Sequence, residues 1–94
     1  MDLRNYVDFE DLVNEAERLV IDELGRQMDD PANEDLLQDE DLVRDIAAYA
    51  LNHVRPMYRA NLLGRLYAKS VEAEESEEIQ RAVSDAIGKI RKNP

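Results

Sequence analysis

A small all-α domain is the fold class this sequence predicts, and three observations predict it. Apolar residues recur every three or four positions across 9–24, 42–54 and 79–90, the period of a helix with one buried side. Residues suited to start or stop a helix fall at the ends of those stretches, among them Asp8, Ser76 and Pro56. Ninety-four residues are too few for two ordinary domains, so residues 1–94 read as one.

The first helix is expected over 9–28. Asp8 is suited to cap it, and Asp11 adds negative charge to its positive end. Phe9, Leu12, Val13, Ala16, Leu19, Val20 and Leu24 form its stripe; Ile21 lies off the stripe and either widens it or meets a second subunit. Gly25 predicts fraying before Met28. Residues 29–38 read as a loop, with Pro31 placed for the first position of a short helical turn. Its carboxylates do not make an EF-hand, because the sixth position is Glu34 counted from Asp29 and Asp35 counted from Asp30, where a glycine is needed.

The second helix starts at 39–41, where acidic side chains complement its N-terminus. It ends near His53 or Val54, because Pro56 holds Arg55 in extended geometry. At 100° per residue its surface divides. Ile46, Ala47, Ala50, Leu51 and Val54, flanked by Leu42 and Tyr49, make an apolar arc for the core. Arg44, Asp45, Ala48 and Asn52 share the opposite quadrant, joined by Arg55 if the helix reaches it. His53, the sole histidine, projects into the apolar arc and reads as structural.

Residues 57–69 admit two readings. Leu62, Leu63, Leu66 and Tyr67 fit a helix that Gly64 interrupts; a short strand or hairpin is the alternative. The last helix is expected over 76–91, capped by Ser76 and carrying Ile79, Ala82, Val83, Ala86, Ile87 and Ile90 as one stripe. Lys89, Arg91 and Lys92 suit its negative end, and Asn93-Pro94 ends it. The stretch "VEAEES" ahead of it is either an earlier turn or a charged link.

The net charge of −10 is unevenly spread. Residues 1–43 hold three basic and fifteen acidic groups, a net of −12. Residues 44–69 hold five basic groups and one acidic, a net of +4; residues 70–94 hold four and six, a net of −2. One basic segment is poorly matched to long nucleic acids, whose affinity comes from many phosphate contacts. It suits a small anion with one or two phosphates, or it merely solvates a surface.

Catalysis finds little to work with. There is no cysteine, one histidine, no glycine-rich phosphate loop, and only Ser70, Ser76 and Ser84 as serines. Neither disulfide nor thiolate zinc can supplement the core, so a homodimer is the expected remedy for its small size. No run approaches the ~18 apolar residues of a membrane span. The N-terminus lacks the basic and apolar regions of a signal peptide, so a cytoplasmic location is expected.

The stretch "DIAAYALNHVRPMY", followed by "LLGRLY", resembles the ComFB family of late competence development proteins. The matching residues are Arg44, Asp45, Ala50, Leu51, Asn52, Pro56 and Tyr58, and the flanking helices fall where that family would put them. Some members carry cysteines before the Arg-Asp pair. This chain has "DDPANEDLLQDEDL" there, so a zinc site does not transfer.

The resemblance implies a receptor for a cyclic dinucleotide, cyclic di-GMP being favoured, that passes ligand state to a regulatory protein. The residue chemistry is compatible. Planar guanidiniums from Arg44, Arg55 and Arg59 can donate paired hydrogen bonds to phosphate. Tyr58, Arg55 or Arg59 can stack on a purine. Asp45 can accept from a guanine edge, Asn52 can pair with a base edge or backbone, and Ala48 leaves room beside them. A two-fold dimer suits a ligand of two equal halves.

Each residue also has a plainer reading: Arg44 and Asp45 in surface ion pairs, Asn52 as a helix cap, Pro56 as a stop, Tyr58 in the core. Two further classes stay open. One is a dimeric protein-interaction module without a small ligand; the other is an acidic mimic of DNA, against which the positive middle segment counts.

Overall fold

Three α-helices carry the core among the described residues: α1 (Glu15–Met28), α2 (Glu40–Leu51) and α3 (Leu62–Lys92). The computed structural model describes the backbone of residues 1–60 and 62–92, and the side chains of 1–60 and 76–92. Two short 3-10 segments, Leu3–Asn5 and Pro31–Gln38, precede α1 and α2. Two two-residue strands, β1 (Val13–Asn14) and β2 (Tyr58–Arg59), pair antiparallel, with Val13 opposite Arg59 and Asn14 opposite Tyr58.

One apolar cluster joins the helices. It contains Ala16, Leu19, Val20, Leu24 and Met28 of α1, Ile46 and Ala50 of α2, and Ile79, Val83, Ala86 and Ile87 of α3. Leu36 and Met57 plug it from the connecting segments. The stripe predicted for the last helix is the one buried, with Ile90 half-buried at its end.

Several boundaries differ from the sequence reading. The first helix starts at Glu15, not at Phe9, and Asn14 caps it instead of Asp8. Asn14 Oδ1 accepts from the Ala16 N–H at 3.1 Å, and Glu15 and Glu17 supply the first-turn negative charge. Phe9 and Leu12 keep the helical period but stay exposed, because the chain is drawn into extended pairing at Val13–Asn14 before the helix begins. At the other end α1 runs through Gly25 to Met28 without breaking.

Pro31 opens its 3-10 segment as predicted. Asp39 caps α2 by accepting from the Leu42 N–H at 3.1 Å. That helix ends at Leu51, earlier than His53 or Val54. Asn52 is its C-cap and donates its N–H to Ala48 at 3.1 Å, and the tighter His53-to-Ala50 bond closes the turn. The last helix is far longer than 76–91. It begins at Leu62, passes Gly64, and leaves Ser76 inside rather than at a cap. A glycine costs only ~1 kcal/mol in a helix, and the Glu- and Ala-rich run after it favours helix. Among the described residues of 57–69 the extended piece is Tyr58–Arg59, and its partner is Val13–Asn14. The expected helical packing of Leu62, Leu63, Leu66 and Tyr67, and the stop at Asn93-Pro94, lie outside the described residues.

Arg91 fastens the end of α3 to the segment before α2. Its guanidinium meets both Asp35 carboxylate oxygens at 2.9 Å and donates to the Ala32 carbonyl at 3.0 Å. Gln27 links α1 to α3, donating to the Gln80 carbonyl at 3.1 Å and accepting from Ser84 Oγ at 3.1 Å.

Candidate functional site

Helix α2 presents two sides, as its sequence periodicity predicts. Ile46 and Ala50 are fully buried, whereas Arg44, Asp45, Ala48 and Asn52 are exposed. Arg44, Ala48 and Asn52 follow one another at four-residue steps, so they span ~12 Å along the axis. Arg44 is held by the turn preceding it, with Nη2 to Glu40 and Nη1 to Asp41, each at 3.1 Å. These partners are solvent-facing and the Arg44 side chain is 68% exposed. Such pairs contribute ~0–1 kcal/mol, so a phosphate can replace the carboxylates at little cost.

Beyond α2 the chain turns at Pro56, leaving Arg55 exposed at the bend. It is then clasped to the start of α1. Asn14 Oδ1 accepts the Met57 N–H at 2.8 Å as well as that of Ala16, and the Glu15 N–H donates to the Met57 carbonyl at 2.8 Å. One side-chain oxygen thus serves two backbone donors that would otherwise lack partners.

The clasp separates two predicted site residues. Tyr58 and Arg59 are successive in a strand, so their side chains leave on opposite faces. Tyr58 stays 63% exposed. Arg59 turns inward to form a close ion pair with Glu15, the side chains being 17% and 12% exposed. Glu15 also accepts from Arg18 Nε at 3.0 Å. The Arg59 hydrogen bond first, then that from Arg18, holds the Glu15 carboxyl below its ordinary value.

The structure therefore gathers Arg44, Asp45 and Asn52 on one helical surface, with Arg55 at the bend. It directs Arg59 to α1 and Tyr58 to the other face of its strand. His53 is not in the apolar arc, because α2 has already ended. It is exposed, its ring stacked on Tyr49 with centroids 4.3 Å apart. Its Nδ1 lies 2.7 Å from the Tyr49 carbonyl and donates to it. The Tyr–x–x–x–His spacing is the sequence signal for this flat surface, which a purely apolar projection overlooks.

Hollows of about 410 and 250 Å³ lie between α1 and α3. Arg26 borders both, but Glu23 occupies it at 2.7 Å. Among the described residues no group of three His, Cys, Asp or Glu side chains is placed to hold a metal. Nor is any described helix long and apolar enough to cross a membrane.

Residues 13–94 match the family described as late competence development protein ComFB, a range that takes in both strands and all three helices. The chain belongs to the ComFB family. No curated protein matches it closely enough to add a relative. The ComFB match begins at Val13, where the β1–β2 clasp begins, and leaves residues 1–12 outside it.

Proposed function

We propose that this ComFB protein is a cytoplasmic receptor for a cyclic dinucleotide, with cyclic di-GMP favoured, that acts by binding rather than catalysis and passes ligand state to a protein partner. One observation carries the reading: the outward side of α2 offers a guanidinium, a carboxylate and an amide around the small Ala48, all four residues exposed. Arg44 exchanges Glu40 and Asp41 for a phosphodiester. Asp45 accepts from a guanine edge, and Asn52 pairs with a second base edge or the sugar-phosphate backbone. Arg55 adds charge at the bend, and the exposed Tyr58 ring of β2 supplies a stacking face. A homodimer presents two such surfaces to a ligand with two equal halves. Arg59 contributes to binding only if phosphate displaces Glu15, so its role is the smallest of the three arginines.

Calorimetric titration with cyclic di-GMP, cyclic di-AMP and the linear dinucleotide tests this. Saturable binding of a cyclic form is expected, weakened at least tenfold by Arg44→Ala and by Arg55→Ala. Unchanged affinity in both variants removes the α2 surface from the site. Absence of binding to all three ligands favours the alternative, an interaction module that needs no small molecule.

A further inference from the structure

The first twelve residues form an arm with no buried residue. Met1, Leu3, Tyr6, Val7, Phe9 and Leu12 are all large, apolar and exposed, Tyr6 at 75%. The arm is shaped by its own hydrogen bonds. Asp2 accepts from the Arg4 N–H at 3.1 Å, Tyr6 and Val7 donate to the Leu3 carbonyl at 3.0 Å, and Asp8 accepts from the Glu10 N–H at 2.8 Å. Residues 4–10 line a hollow of about 700 Å³. Exposed apolar groups concentrated in this way mark a surface that another molecule covers.

Charge identifies the occupant. The arm carries Asp2, Asp8, Glu10 and Asp11 against the single Arg4, and Arg4 is already paired with Asp2 at 3.0 Å. A second copy of the chain fits the arm poorly, since its one cationic segment, residues 44–69, carries a net charge of only +4. The arginines of its cationic segment are also partly committed, Arg44 to Glu40 and Asp41, and Arg59 to Glu15. An anionic lipid surface repels the same carboxylates.

We infer that residues 1–12 form a docking arm for a cationic amphipathic segment of another protein, whose apolar side covers Tyr6, Phe9 and Leu12 while its Lys or Arg residues face Asp8, Glu10 and Asp11. The inference is independent of the α2 ligand, because the arm lies outside the family match and away from α2 in sequence.

The test uses the full chain and a labelled 18-residue amphipathic helical peptide of leucine and lysine, followed by fluorescence anisotropy. Saturable binding is expected, falling with added salt and weakened at least tenfold by Tyr6→Ser/Phe9→Ser/Leu12→Ser. The control Ile21→Ser, at an exposed apolar position on α1, leaves it unchanged, and a leucine–glutamate peptide does not bind. No saturable binding, or equal binding by wild type and the triple variant, overturns the proposal. Loss of a wild-type dimer in that variant by sedimentation assigns the arm to a second copy. Arm-dependent pelleting with phosphatidylcholine vesicles assigns it to lipid. Either result overturns it.

Discussion

Arg44 and Arg59 are each paired with carboxylates, and their fates differ. Arg44 lies on the outside of α2, held by two acidic side chains that water also reaches. Arg59 lies in the clasp between α1 and β2, where it and Glu15 are both largely withdrawn from solvent. The chemical groups are the same; the surroundings decide the role. An exposed pair is weak and exchangeable, whereas removing one member of a withdrawn pair leaves the other charge poorly solvated. The clasp is therefore architecture, and the α2 surface carries the more readily exchanged cation.

Ile46→Ala tests the inward side of α2 and carries the largest expected effect. It empties a fully buried position and is expected to cost ~2–5 kcal/mol in denaturant unfolding. Next comes Asn14→Ala, which removes the acceptor shared by Ala16 and Met57. A lost cap together with an unpartnered Met57 N–H is expected to cost ~1–3 kcal/mol. A loss below half a kcal/mol would mean that the clasp does not hold the two segments together.

The Glu15–Arg59 pair predicts a pH dependence whose sign is fixed. Because the folded carboxyl is depressed below 4.5, its contribution is present above that value and drains away as pH falls through the lower folded value. Glu15→Gln removes this part of the acid sensitivity, read as a shallower loss of stability as pH falls below 4.5. The smallest effect belongs to the other arginine. Arg44→Ala is expected to change stability by no more than ~0.5 kcal/mol. A loss comparable to that of Asn14→Ala would erase the distinction between the two regions.

The division of α2 was legible because it is a local property: seven apolar positions at helical spacing specify which side turns inward. The stripe of α3 was legible for the same reason. The start of α1 was not, since Phe9, Leu12 and Val13 continue its period while Val13–Asn14 pairs with Tyr58–Arg59 far along the chain. No windowed pattern registers a partner that distant. The same blindness applies to Arg59, whose carboxylate is 44 positions away. In α3, Gly64 and Ser76 read as punctuation, yet the helix former residues between them outweigh both. Of the site, the exposed set Arg44, Asp45 and Asn52 was legible; the separation of Tyr58 from Arg59 needed the knowledge that they occupy a strand.

The oxygen of Asn14 that serves both Ala16 and Met57 also bears on the order of assembly. While the chain is being synthesised, the second donor to that oxygen, the Met57 N–H, is made more than forty positions later. The two amide protons are therefore expected to exchange with solvent in a single concerted opening rather than at separate rates. Native-state hydrogen exchange would then report the clasp as one cooperative unit.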